Sequence, residues 1–325
     1  MKVVSLFSGA GGLDWGFHEH PKFNIVFAND YMKEACETYA ANIGPIIHGD
    51  VKELLTSTPS HDVLTGGFPC QPFSMAGRRQ GFDDPRGLEI FSFTETLRRH
   101  KPRYFIAENV KGILSHDKGS TFKLVLSYLK AEGYHVTWQS LNMSELGIPQ
   151  HRHRVFFFGC LDHVWVPTFE KVQGATLRET IGHLECPSTS QDPNHNLHQS
   201  TSSKRHWMNI LREGENLARI PVKEVVRREC LKFLPNKPIP KSWQGYIRLH
   251  YDEIAPTMMF GNTCLPIHPV EHRNLSVREA ALVQTFPPSY IFKGGLAAQY
   301  KQVGNAVPAK FSSLLAEELY KDSVK

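Results

Sequence analysis

Cys70 stands in "GGFPCQPFS", residues 66–74, directly after a proline and just past an apolar run, Val63-Leu64-Thr65, that ends in two glycines. A structural cysteine usually lies among large apolar neighbours inside a regular element. Cys70 instead falls where a strand runs out into a turn, which suits an exposed thiol used as a nucleophile, its ordinary pKa of about 8.5 lowered or its proton removed during attack; a lone cysteine by itself is more often a small loop hydrophobe. Glu108 in "IAENV" also follows an apolar strand. Alone, such an acid more often caps a helix or joins an ion pair; beside Cys70 in an apolar cleft its pKa would rise and it would share or donate a proton. In "QHRHR", residues 150–154, alternation puts Gln150, Arg152 and Arg154 on one side of an extended segment and His151 and His153 on the other. These histidines, like His195 and His198, lack a cysteine or carboxylate partner, so no metal is expected.

A second chemistry is that of a binding edge. "LFSGAGGLDWGF" reads as a strand, a glycine-rich turn and a helix start, whose backbone amides can approach a ligand closely. The dinucleotide pattern GxGxxG fails, because after Gly9 and Gly11 its third glycine position holds Asp14, which argues against a nicotinamide enzyme. Asp30 ends a second strand and Asp50 a third, in "IIHGD". Successive carboxylates at one sheet edge fit a nucleoside ligand without a pyrophosphate.

The elements that must position these groups follow from periodicity. From residue 2 to about 160, β-branched runs alternate with helical periods, as in a parallel sheet built from strand–crossover–strand units. Met32, Ala35, Cys36, Tyr39 and Ala40 share one helical face, and Phe122, Val125, Leu126 and Leu129 another; "RVFFFGC" reads as a fully buried strand. From about Pro167 prolines, histidines and serines multiply, and "PSTSQDPNHNLHQSTSSK" has no usable period. Order returns in "VGNAVPAKFSSLLAEELY", where Pro308 suits a first helical turn and Phe311, Leu314, Leu315 and Leu319 form a stripe. The first domain is therefore expected to enclose the second: 1–165 with 290–325 around 166–289.

Composition bounds the classes. The net charge of +5 and pI near 8.8 lean toward a polyanionic partner, and 41% hydrophobic residues support a real core. Six scattered cysteines without a CxxC pair indicate neither a disulfide scaffold nor structural zinc. No apolar run suits a signal peptide or a membrane span, so a soluble cytoplasmic protein is expected.

Taken together, the chain resembles the cytosine-5 DNA methyltransferases of bacterial restriction–modification systems. "FSGAGGLD", "GGFPCQPFS", "ENV", "QHRHR", "REAALVQTFP" and "GNAVP" occur in the family's order, leaving only about 161–275 without a strong match. One such motif is weak, whereas six in order are very specific. The resemblance implies an α/β S-adenosylmethionine-dependent methyltransferase fold, with a mostly parallel doubly wound sheet and a smaller, irregular DNA-recognition domain. It implies that Phe7, Gly9, Gly11, Asp30, Tyr31, Asp50, Asn305 and Val307 line the S-adenosylmethionine site, Tyr31 standing where the family often has tryptophan. Cys70 would attack carbon 6 of a flipped-out cytosine, with Glu108 at ring nitrogen 3 and Arg154 at the carbonyl oxygen. Asn109 and Arg152 would hold Glu108 and the Cys70 loop in place.

Ser74, Arg78, Arg79 and Thr257 would meet the DNA. Residues 166–275, with 14 Lys and Arg against 11 Asp and Glu, fall where the family reads its site; Arg205, Arg227, Arg228 and Arg248 are further candidates there. The expected partner is double-stranded DNA, with a companion restriction endonuclease, no membrane and a monomeric enzyme. A transfer-RNA methyltransferase would share the catalytic motifs, but the long region after "QHRHR" and the lack of a Cys-Phe-Thr triplet favour duplex DNA. A non-catalytic DNA-binding scaffold fits poorly with intact Cys70, Glu108 and Arg154.

Overall fold

Residues alternate in facing along each central strand, so the sheet buries both sides. In β5 (Tyr104–Val110), Tyr104 and Ile106 join one apolar cluster while Phe105 and Ala107 join the opposite one. In β7 (His153–Cys160), Phe156 and Phe158 pair off against Val155 and Phe157 in the same way. The computed structural model describes residues 1–69, 88–184, 187–196, 208–209, 211–219, 247–258 and 266–325.

With β1 (Lys2–Leu6), β2 (Asn24–Asp30), β3 (Ile47–His48), β4 (Val63–Gly66) and β6 (His135–Asn142), these make a seven-stranded sheet in the order β3-β2-β1-β4-β5-β7-β6. β1 to β5 are parallel, as the sequence predicts. β7 is antiparallel to both β5 and β6. The chain winds outward from β1 to β3 and then returns to β4 on the other side of β1, which makes the β1/β4 boundary a topological switch point at the carboxyl ends of the strands.

Among the described residues, helices α1 (Trp15–Glu19), α2 (Lys33–Asn42), α3 (Val51–Leu54), α4 (Leu88–His100), α5 (Ser120–Ala131), α6 (Leu177–Ile181), α7 (Val277–Val283), α8 (Leu296–Asn305) and α9 (Ala309–Ser323) accompany the sheet. The α9 stripe is as expected, with Phe311, Leu315 and Leu319 buried and Leu314 packed beside them. Pro308 sits one position earlier than expected, at the helix N-cap. On α2, Ala40 is exposed and Thr38 is buried in its place. Helical period alone misses this second buried side, because α2 also meets the C-terminal region: Thr38 Oγ1 donates to Gln302 Oε1 at 2.6 Å and accepts from the Lys293 amide at 2.8 Å.

A third apolar cluster joins Leu177, Ile181, Leu249, Ala255 and Leu275 to Ala280, Phe286, Tyr290, Tyr300 and Val303, and reaches Ala10 beside the glycine turn. The C-terminal segment is fastened to the N-terminal one at α1. The Gly16 amide donates to Ser312 Oγ at 2.8 Å, and a Cβ at Gly16 would lie 2.2 Å from the Ser312 backbone carbon. Gly16→Ala is therefore expected to destabilise the fold by about 1–3 kcal/mol through backbone overpacking. Gly112→Ala, whose nearest neighbour would be 3.9 Å away, should be nearly neutral; equal urea midpoints for the two variants would contradict the fit.

Candidate active site

At the end of β1 the backbone enters the left-handed region three times, at Phe7 (φ +56°), Gly9 (φ +56°) and Gly11 (φ +83°). A non-glycine residue there is uncommon and is held only when its surroundings impose it. Those surroundings are polar and buried. The Gly9 amide donates to Asp30 Oδ2 and the Met32 amide to Asp30 Oδ1, both at 2.8 Å, so one carboxylate at the end of β2 fixes the turn after β1. Burial raises the Asp30 pKa, opposed by the amides of Met32, Gly9 and Tyr31 and by His48.

The two glycines serve different ends. A Cβ on Gly11 would strike Ile43 at 2.2 Å and the Tyr290 hydroxyl at 2.9 Å, whereas one on Gly9 would meet nothing within 4 Å. The outer side of Gly9 therefore has room for a ligand beside its backbone. Tyr31, 66% exposed, adjoins Asp30, and its carbonyl lies 3.0 Å from His48 Nε2. Asp50 caps α3, its Oδ1 accepting from the Lys52 amide at 3.0 Å. Val307 is buried with its carbonyl against Gly12, while Asn305 is exposed at the end of α8.

Beneath the turn lies a residue that motif reading passed over. Asp14 is fully buried and accepts from Ser5 Oγ at 2.8 Å, Tyr39 hydroxyl at 2.9 Å and, more loosely, Thr65 Oγ1 at 3.4 Å. Burial pushes its pKa up to about 6 against these donors. It ties β1, α2 and β4 together under the loop, and Tyr290 adds a bond from its hydroxyl to the Ala10 carbonyl. In the sequence Asp14 signals only that a glycine is missing; its three partners are brought by tertiary structure.

The second half of the edge lies across the switch point. Val110 faces Arg154 and Glu108 faces Phe156 in the β5/β7 register, so Glu108 and Arg154 are diagonal neighbours on one face of the sheet. Arg154 Nε and Glu108 Oε1 are 2.8 Å apart in a nearly buried ion pair. Burial raises the Glu108 pKa and outweighs the opposing pull of Arg154 and Arg152. A Cβ on Gly67 would approach Glu108 Oε2 to 3.1 Å, so the glycine keeps the backbone close to the carboxylate. Asn109 Nδ2 donates to the Phe68 carbonyl at 3.0 Å, two residues before Cys70. Arg152 does not bond to Glu108: its Nη2 donates to the carbonyls of Gly304 and Ala306 at 2.9 Å each.

Cys70, Ser74, Arg78 and Arg79 lie outside the described residues, as do His198, Arg205, Arg227 and Arg228. Thr257 is exposed and its hydroxyl donates to the His151 carbonyl, while the His151 amide donates to Ala255 at 2.8 Å. The "APT" stretch thereby braces "QHRHR". Arg248 is not available to DNA. Its buried guanidinium donates to the carbonyls of Met208, Leu211, His268, Pro269 and Glu271, knitting distant segments together. Nothing in its local sequence distinguishes this from a surface arginine. Buried His195 lies 2.6 Å from Ser276 Oγ, and among the described residues no group of His, Cys, Asp and Glu is placed to hold a metal ion.

Comparison with known proteins identifies the family. The family model for C-5 cytosine-specific DNA methylase matches residues 1–321. The chain is 34% identical to the Type II methyltransferase M.MthTI of Methanothermobacter thermautotrophicus, covering 99% of this chain and 98% of that one. It is 32% identical to M.Bsp6I of Bacillus sp. (strain RFL6), covering 99% of both. Among solved structures, a prophage-encoded E. coli chain described as a candidate DNA modification methyltransferase superposes with TM-score 0.75 at 21% identity, and S. pombe Dnmt2 methyltransferase with 0.68 at 18%, each covering 100% of both chains. At that identity the likeness is one of fold. With the family model spanning nearly its whole length and Type II relatives aligned end to end, this chain belongs to the C-5 cytosine-specific DNA methylases and is a DNA (cytosine-5-)-methyltransferase of the restriction–modification type.

Proposed function

We propose that this enzyme methylates carbon 5 of a flipped-out cytosine, within a short specific sequence of double-stranded DNA, through a covalent Cys70 adduct. The observation that carries the reading is the buried Glu108 carboxylate with Arg154 2.8 Å away, at the same sheet edge as the left-handed glycine turn. Cytosine is a poor nucleophile at carbon 5. The Cys70 thiolate adds at carbon 6, forming the S–C6 bond and leaving carbon 5 enamine-like. The displaced charge runs toward ring nitrogen 3, where Glu108, held with a raised pKa, supplies a proton, and Arg154 stabilises the neighbouring carbonyl oxygen. Asn109 fixes the Phe68 carbonyl and with it the entry to the Cys70 segment.

S-adenosylmethionine suits the other half of the edge, given the open space over Gly9 and the exposed Tyr31 ring. Phe7, Gly9, Gly11, Asp30, Tyr31, Asp50, Asn305 and Val307 would hold it. The chemistry it would supply when bound is a methyl group on a sulfonium, electrophilic enough for the enamine-like carbon 5 to attack; a base then removes the carbon 5 proton, and elimination breaks the S–C6 bond and frees Cys70. Extrusion of the base costs a few kcal/mol, and Ser74, Arg78, Arg79 and Thr257 would meet the DNA as the site closes. Residues 166–289 would read the sequence, and 1–165 with 290–325 would carry the chemistry. The same reading makes the enzyme a cytoplasmic, DNA-associated monomer that protects host DNA beside a companion endonuclease.

Three outcomes test this. Cys70→Ser is expected to reduce methyl transfer to background while S-adenosylmethionine binding, followed by calorimetry, persists; near-normal turnover would sink the mechanism. Duplex DNA carrying 5-fluorocytosine at the target should form an adduct that peptide mass mapping places on Cys70, and preferential trapping on transfer RNA would move the substrate to the rival class. Glu108→Gln keeps a hydrogen-bond donor without a transferable proton, so kcat should fall about 10²- to 10⁴-fold. Because the protonated carboxyl is the active form, wild-type kcat should decline as pH rises through the elevated Glu108 pKa, and that limb should vanish in the variant. An unchanged pH profile would remove Glu108 from the proton transfer.

A further inference from the structure

Arg152 lies just before β7 and Arg154 is the second residue of that strand, yet their guanidinium groups serve different halves of the edge. Arg154 meets Glu108. Arg152, only 1% exposed, spends its Nη2 on the carbonyls of Gly304 and Ala306, which bracket Asn305. The arc does not stop there, since a Cβ at Gly12 would lie 2.3 Å from the Val307 carbonyl oxygen and 2.9 Å from the Ala306 Cβ. Residues 304–307 are thus clasped between the glycine turn after β1 and one buried guanidinium.

This is an unfavourable way to bury a charge. Hydrogen bonds to two neutral carbonyls do not replace a carboxylate partner, and among the described residues the Arg152 Nε has no partner at all. The opposite charge that Arg152 feels is Glu108, already engaged by Arg154; burial and Arg154 push the Arg152 pKa down while Glu108 pulls it up. For stability alone, an apolar side chain of similar volume would serve as well or better. A charge held here at a disadvantage, joining the two halves of the edge, has a use in communication between them.

We propose that Arg152 is a positioning residue that couples occupancy of the cofactor edge to formation of the base site. Ordering residues 304–306 fixes the Arg152 guanidinium, hence the backbone from which Arg154 reaches Glu108 two residues later. The inference rests on the reading of the two half-sites as cofactor and cytosine sites. By linkage the coupling is reciprocal: DNA must tighten the cofactor by the same factor as the cofactor tightens DNA.

The test uses a duplex containing the site that bisulfite sequencing of plasmid methylated by the wild-type enzyme identifies. Its Kd is measured by fluorescence anisotropy with and without saturating S-adenosylhomocysteine, for wild type, Arg152→Gln and Arg152→Lys. Wild type is expected to bind the duplex about fivefold tighter or more with the ligand present; in Arg152→Gln the ratio should fall to near one, and in Arg152→Lys to an intermediate value. A merely structural role would weaken one or both affinities and leave the ratio intact, which overturns the proposal. Should Arg152→Gln fail to fold, the Arg152→Lys ratio decides alone, and a wild-type ratio there rejects the coupling. A wild-type enzyme that binds both ligands without any coupling rejects it too. Failure of the wild type to bind S-adenosylhomocysteine would instead strike the cofactor reading itself, and the inference with it.

Discussion

A carboxylate taken out of water into a protein interior loses several kcal/mol of hydration even after the surroundings relax, and Glu108 is buried with one guanidinium, 2.8 Å away, as its direct partner. That partner is within reach only because β7 runs against β5. Antiparallel pairing brings the last residues of one strand to the first residues of the other. Were β7 parallel, the "QHRHR" segment that opens it would lie at the opposite rim, on the order of 25 Å away for eight residues at ~3.3 Å each. The reversed strand therefore sets the position of Arg154 and, through Arg152, the position of residues 304–306. The rest of the edge is assembled around that constraint: Gly67 approaches the carboxylate, and Asn109 ties down the strand end that leads toward Cys70.

The other half of the edge rests on carboxylates in a different role. Asp30 and Asp14 hold backbone amides and hydroxyls and thereby force Phe7 and Gly9 into conformations that an unsupported loop would leave. Preorganisation of this kind spares a ligand the work of ordering the loop as it binds. The two halves face each other across the β1/β4 boundary because the winding order reverses there.

What the sequence revealed and what it hid divide along one physical line. Strand ends, their carboxylates, the sidedness of "QHRHR" and the α9 stripe are legible because each depends on a period within a few residues. The direction of β7 is not, since "RVFFFGC" is buried on both faces whichever way it runs. Thr38 and Ala40 on α2, and the bonding of Arg152 and Arg248, depend on segments that meet only in three dimensions. Arginine is especially opaque in this respect. Its five donors serve a phosphate or a ring of carbonyls equally well, and only the surroundings decide between them.

The clasp between Gly16 and Ser312 has a consequence for biosynthesis. The ribosome makes about 5–20 residues per second, so roughly 15–60 seconds separate the emergence of α1 from that of α9. During that interval the apolar face that Phe17 and Leu13 share with Phe311 and Leu315 has no cover. The nascent sheet must wait with one side wet, open to capture by chaperones or by other chains. Gly16 at the start and Arg152 at the opening of β7 both wait for partners that the ribosome makes last, Ser312 for the one and the Gly304 and Ala306 carbonyls for the other.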